Sequence, residues 1–137
     1  MEYLAESDSA GQSGTFPQGR LSRLLIRCRD RAFFVATQNI RWIQADDDFV
    51  RLHAGPRIHR IRGTLAGLHA RLDPRQFLRI HRSALVNVAF IAEIRIRPSG
   101  DGEVLLQDGT VLRLSRTFRS ALQELGGVFK AEERPAA

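Results

Sequence analysis

Apolar residues in this chain come in short clusters, and within most clusters they alternate with polar ones. A spacing of two is the mark of strands. Leu24–Cys28 and Ala32–Ala36, separated by Arg29, Asp30 and Arg31, form a predicted hairpin. Ile40–Ala45 and Phe49–Ala54 follow, separated by Asp46, Asp47 and Asp48. In the second, Val50 and Leu52 alternate with Arg51 and His53, which predicts a half-buried strand with a basic outer face. Gly55-Pro56 marks a turn, and Ile58 and Ile61 a further short strand. Three more strands are expected at Ile91–Arg97, Glu103–Gln107 and Thr110–Leu114. The last two flank Asp108-Gly109, a strong hairpin signal. A two-residue loop there pairs Leu106 with Val111 and Leu105 with Leu112. Both faces of the hairpin are then partly apolar, which predicts a strand pair held between two layers.

Two stretches follow the helical period instead. Leu65, Leu68 and Leu72 make one apolar stripe over Thr64–Leu72, with Thr64 as N-cap and Asp73-Pro74 as stop. Phe118, Leu122 and Leu125 make another over Thr117–Leu125, with Ser115 as N-cap and Gly126-Gly127 as stop. Arg116 and Arg119 fall at the start of this second helix, where cations oppose the helix dipole and an anion is favoured. The fold class is therefore mainly β with one or two short helices.

One stretch fits neither period. Phe77–Asn87, FLRIHRSALVN, places Arg79, His81 and Arg82 within four positions between apolar residues. It predicts a strand that leaves a core, presents cations at a bend and returns. Ser83 is placed to cap a short helical turn there. His81 is placed to fix the bend by hydrogen bonding to backbone.

The 137 residues allow one domain with a substantial core. Residues 1–22 are rich in Ser and Gly and predict a disordered tail or linker, 23–127 the folded domain, and 128–137 a flexible tail. No apolar run reaches membrane-spanning length and no export signal is evident, so a cytoplasmic protein is expected. The net charge is +6, unevenly spread. Residues 20–124 hold nineteen arginines against ten acids, and Lys130 is the sole lysine of the chain. Arginine in such excess suits phosphates and guanine edges, although a charged solubilising surface accounts for part of it.

Catalytic signatures are missing. There is no phosphate-binding glycine loop, no zinc-protease motif and no nucleophile elbow. His53, His59, His69 and His81 show no metal-ligand spacing, and Asp46–Asp48 lacks the Gly and distal Glu of a calcium loop. Cys28, the lone cysteine, lies between Arg27 and Arg29 and is expected to be a small strand residue. Neither a metal nor a cofactor is expected, and the chain is not expected to be an enzyme. Trp42 is placed in the core, and aromatics are too few for a single-strand stacking platform. What remains is arginine at the mouths of separated loops: Arg51 after the acidic turn, Arg79 and Arg82 in the bend, and Arg116 and Arg119 at the last helix. That arrangement suits double-stranded DNA, where arginine reads guanine O6 and N7 or clamps phosphates. No helix has the look of a helix-turn-helix reader, so loops must do the reading.

FLRIHRSALVN, then IAEI, then VLLQDGTVLRLSR with a trailing short helix, resembles the LytTR DNA-binding domain of bacterial transcription regulators (the LytR/AlgR family). NIRWIQADDDFVRLH is similar to that family's strand–loop–strand segment, and the resemblance runs from about Leu24 to Leu125. It implies an elongated fold of stacked antiparallel sheets. It also implies loops entering successive major grooves on one DNA face, and promoter sites arranged as direct repeats bound by a dimer. Carried over by motif, Arg82 and Arg116 are the expected base readers, and Asp48 and Arg51 supply a third contact loop. Arg79 and Arg119 are expected to add DNA contacts, with His81, Ser83, Asn87 and Ser115 supporting the site. Two features depart from the family. The third loop is triply acidic, so it either accepts from a cytosine amino group or stays off the backbone. The receiver domain or membrane segment that usually precedes this domain in the family does not fit in residues 1–23. The expectation is therefore either a free-standing regulator or a piece whose sensor or receiver partner joins at the linker-like start. The alternative to DNA recognition is a protein-interaction module or anti-regulator on the same fold.

Overall fold

A computed structural model gives the fold and describes residues 21–125 and 131–132. Strands β1 (Arg23–Cys28) and β2 (Arg31–Ala36) form a two-stranded sheet. Strands β3 (Ile40–Asp46), β4 (Phe49–Ala54), β5 (Arg57–Arg62), β6 (Phe77–His81) and β7 (Ala84–Asn87) form a five-stranded sheet in the order β5-β4-β3-β7-β6. Strands β8 (Ile91–Ile96), β9 (Gly102–Leu106) and β10 (Val111–Leu114) form a third sheet in the order β10-β9-β8. All pairings are antiparallel. Helix α1 spans Leu65–His69, and a 3₁₀ helix spans Arg116–Leu125. The mainly β class expected from the alternation and the stacked antiparallel sheets implied by the family resemblance are both observed. The tails expected at 1–22 and 128–137 fall almost wholly outside the described residues, as does the Gly126-Gly127 stop.

The five-stranded sheet is the central layer. One face carries Ile43, Val50, Leu52, Phe77 and Leu85, packed against Leu24 and Ile26 of the first sheet and Leu65, Leu68 and Leu72 around α1. Each such side chain contributes about 1.5–3 kcal/mol by leaving water. The other face carries Leu78, Ile80, Ala84 and Val86, packed against Val104, Leu106, Leu112 and Leu114 of the third sheet. Strand β7 lies where both faces are covered, and all four of its residues are buried. The third sheet covers only the β3-β7-β6 side. The outer face of β4 and β5 is left open, and there Arg51, Ile58, Arg60 and Arg62 are exposed.

Four expectations need correcting. The hairpin after β9 has a three-residue loop, so Leu105 pairs with Val111 and Val104 with Leu112. The Gly109 N–H donates to the Leu106 carbonyl, and Gly109 adopts φ 95°. This is a turn closed by a left-handed glycine bulge, which shifts the register by one residue. The same hairpin is not held between two layers. Its inner face is buried, while Val111 on the outer face is 55% exposed and stands beside Glu103 and Arg113. The buried hairpin is β6–β7 instead.

The first helix stops at His69, three residues short of expectation. Leu72 still reaches the core through the turn that follows. The C-terminal element is 3₁₀ in form and begins at Arg116. Ser115 opens it as expected, its Oγ accepting from the Thr117 N–H at 3.3 Å. Thr64 also caps α1 as expected, accepting from the Gly67 N–H at 3.0 Å.

Candidate nucleic-acid interface

Antiparallel pairing brings several turns to one end of the molecule. The β3–β4 turn (Asp47-Asp48) and the β6–β7 turn (Arg82-Ser83) lie side by side, because the Ala45 N–H donates to the Ser83 carbonyl at 2.9 Å. The end of β5 joins them through a hydrogen bond from the Gly63 N–H to the Asp48 carbonyl at 2.9 Å. The Ser115 N–H donates to the Ile80 carbonyl at 2.8 Å and brings in the start of the 3₁₀ helix. The β8–β9 loop follows, since Arg116 Nη1 donates to the Ser99 carbonyl at 3.2 Å. Arg82 and Arg116, far apart in sequence, thus share one end of the fold.

Their settings differ. Arg82 sits in a two-residue turn, exposed, and its guanidinium has no hydrogen-bonding or ionic partner among the described residues. Arg116 is exposed but pinned. Its aliphatic stem lies across Gly100, where an added Cβ would come within 2.6 Å of Arg116 Cδ, and Gly100 holds φ 101°. Any side chain at 100 would therefore push Arg116 off its seat. Arg119 is exposed, one turn further on.

The turn under Arg82 is built by its neighbours. The Ser83 N–H donates to His81 Nδ1 at 3.1 Å, and Ser83 Oγ lies 2.7 Å from the same nitrogen. His81 Nδ1 is therefore an acceptor, which makes the ring neutral with its proton on Nε2. Burial, followed by the charges of Arg113, Arg82 and Arg79, holds its pKa below the usual histidine value. His81 fixes the bend as expected, though through the Ser83 amide and hydroxyl. Ser83 does not cap a helical turn: its hydroxyl is used on His81, because the bend is a tight hairpin. Arg79 is turned inward along the same loop. Its Nε donates to the His81 carbonyl at 3.0 Å and its Nη2 to the Arg82 carbonyl at 2.7 Å, with the guanidinium 5.4 Å from the Phe118 ring. Asn87, 1% exposed, donates to the Ile40 carbonyl at 2.8 Å and accepts from the Ala89 N–H at 3.0 Å. It locks the end of β7 onto the start of β3, at the end of the strands away from the bend.

The acidic turn is organised by one of its members. Asp46 is the last residue of β3, and its Oδ2 accepts from Arg51 Nε at 3.0 Å and Arg60 Nε at 2.8 Å. Those two hydrogen bonds, Arg60 first, hold the Asp46 carboxyl below the usual aspartate range. Arg51 is thus on the open face of β4 rather than at the turn, and its charge is shared with Asp46. Asp47, at φ 58°, and Asp48 are exposed at the tip. Sequence reasoning missed the outward row Arg60 and Arg62 on β5. The signal was there in IHRIR, where every second residue is outward-facing. Trp42 is part-buried against the third sheet, as expected of a core residue, and stacks on His53 at 4.1 Å between ring centroids.

Among the described residues no group of three or more His, Cys, Asp or Glu is placed to hold a metal. No helix among them is long and apolar enough to cross a membrane.

Comparison with known proteins agrees with this geometry. The chain is 36% identical over 84 residues to the CO-responsive transcriptional regulator RcoM of Rhodospirillum rubrum, covering 61% of this chain and 36% of that protein. It is 25% identical over 103 residues to the sensory transduction protein LytT of Bacillus subtilis, covering 75% of this chain and 43% of that one. The chain thus spans less than half the length of these two relatives. Its fold superimposes with a TM-score of 0.68 on the LytTr DNA-binding domain of a putative methyl-accepting/DNA response regulator from Bacillus cereus. That match is at 21% identity and covers 77% of this chain and 97% of the other. Residues 30–127 match the LytTr DNA-binding domain family, and the chain belongs to that family.

Proposed function

We propose that this protein binds double-stranded DNA sequence-specifically through the turns at one end of its sheets, and that it is the DNA-reading part of a bacterial transcription regulator. The observation that carries this reading is the pairing of Arg82 and Arg116, exposed at one end of the molecule on turns that other residues hold rigid. A guanidinium presented from a rigid turn can meet the O6/N7 edge of guanine bidentately, and each such contact discriminates by about 1–3 kcal/mol. The two readers enter successive major grooves. Arg119 lies toward phosphate, and Asp48 stays at the turn tip, where its carboxylate can accept from a base amino group such as that of cytosine.

Binding as a dimer on promoter direct repeats, in the cytoplasm, fits a single compact reader that covers one short site. A sensor or receiver partner supplies the input signal. Selection from a pool of random duplexes tests the reading. An enriched sequence containing repeated guanine positions is expected. A pool that emerges unenriched would favour a protein-interaction role on the same fold.

A further inference from the structure

The open outer face of β4 and β5 is a single arrangement of charge and ring. Arg51 and Arg60 share the Asp46 carboxylate. The Arg60 guanidinium lies 3.7 Å from the Phe49 ring centroid, and that of Arg62 lies 4.8 Å from it. Phe49 is cross-strand partner to both Arg62 and Asp46. Three guanidiniums and one carboxylate thus gather on this face, two of the three on the carboxylate itself, which leaves an excess of two positive charges. Arg62 is exposed and has no carboxylate partner among the described residues. It is also the last residue of β5, directly before Gly63, whose N–H is bonded to the Asp48 carbonyl. Arg62 therefore stands at the same end as Arg82, on the far side of the acidic turn.

We infer that Arg62, with Arg60 behind it, is a phosphate clamp for the DNA backbone that borders the groove entered by Arg82. The inference rests on the DNA-binding reading above and adds to it a contact in place of the acidic turn. Three strand intervals separate β5 from β7, about 14 Å at the usual strand spacing. With the reach of two arginine side chains, that span matches the step from a base edge to the sugar–phosphate wall of a major groove about 12 Å wide. The ring of Phe49 limits the freedom of both guanidiniums, so less entropy is lost when an anion arrives. Asp46 holds Arg51 and Arg60 close to the sheet and leaves Arg62 the outermost charge. Asp47 and Asp48 repel phosphate from the turn itself, which directs the backbone to the arginine side of the face.

The test is the salt dependence of binding to a duplex of any sequence, since phosphate contacts carry no sequence information. Arg62→Gln is compared with wild type, with Arg62→Lys, and with Arg57→Gln at the opposite end of β5. Losing one phosphate contact lowers the slope of log K against log salt by about 0.9. Between about 50 mM and about 200 mM salt the ratio of wild-type to variant affinity then shrinks about 3.5-fold. Arg62→Lys restores the slope, and Arg57→Gln leaves it unchanged. An Arg62→Gln slope equal to wild type, or an equal drop in Arg57→Gln, overturns the clamp. If the wild-type protein shows no salt-dependent duplex binding, the DNA reading itself fails, whereas a failed clamp beside intact Arg82-dependent binding refutes the clamp alone.

Discussion

Arg79 is the residue whose role the structure makes most testable. Its Nε and Nη2 donate to the carbonyls of His81 and Arg82, at 3.0 and 2.7 Å. Both carbonyls belong to the turn that carries Arg82, and the Phe118 ring backs the guanidinium. Arg79→Met keeps most of the stem and removes both hydrogen bonds. A hydrogen bond to a charged group is worth about 1.5–3 kcal/mol, less where solvent competes, and one of these two is exposed. A total loss of about 1–3 kcal/mol of stability is expected. For a domain of this size that lowers the melting midpoint by roughly 4–8 °C per kcal/mol. A loosened turn must also be re-ordered on DNA, at about 0.5–1.5 kcal/mol, which weakens cognate binding about 2- to 13-fold.

The competing possibility is that Arg79 contacts phosphate directly, and the two separate cleanly. A brace leaves the salt slope of duplex binding unchanged, and Arg79→Lys fails to rescue, because an ammonium cannot hold two carbonyls in a planar fork. A phosphate contact loses about 0.9 from the slope, and lysine rescues it. Thermal melts and salt titrations of both variants decide. A stable Arg79→Met protein with a shallower slope would refute the bracing argument.

Two further outcomes are expected. Asn87→Ala strands the Ile40 carbonyl and the Ala89 N–H beside a buried site and should cost about 2–4 kcal/mol in urea unfolding, while Arg57→Gln at the surface should stay within about 0.5 kcal/mol. His81 must stay neutral to accept from Ser83, and its folded pKa lies below its unfolded value. Its contribution to stability is thus fully present above about pH 6.5 and lost as pH falls through the lower, folded pKa. His53, His59 and His69 are lowered as well, chiefly by burial, so the melting midpoint should fall on acidification below that range. His81→Gln should remove part of the dependence.

Much of this was legible in the chain because a period of two with clear turn residues dictates strands and their order. The alternation of Val50 and Leu52 with Arg51 and His53 gave both the buried and the basic face of β4. FLRIHRSALVN stood out as a candidate site through its conflict of patterns: basic residues at a bend, with apolar ones on either side. What stayed hidden depended on three-dimensional pairing. Whether Arg51 or Arg62 is free depends on which carboxylate lies across the sheet, and Asp46 reaches Arg60 only because β4 and β5 pair in their observed register. Arg79 lay in the same basic cluster as Arg82, yet a bulge between Arg79 and His81 turns the two guanidiniums to different tasks. The register after β9 slipped by one because Asp108-Gly109 signals a hairpin without fixing whether its loop has two residues or three.

The most direct measurement is the affinity of Arg82→Ala and Arg116→Ala for the duplex enriched by selection, set beside their affinity for a scrambled duplex at the same salt. Each substitution should cost about 1–3 kcal/mol on the selected site and relax preference at one base position. On the scrambled duplex each loss should be smaller. Equal losses on both duplexes would make these arginines phosphate contacts, and unchanged affinity on the selected site would contradict the account of how this end of the fold reads DNA.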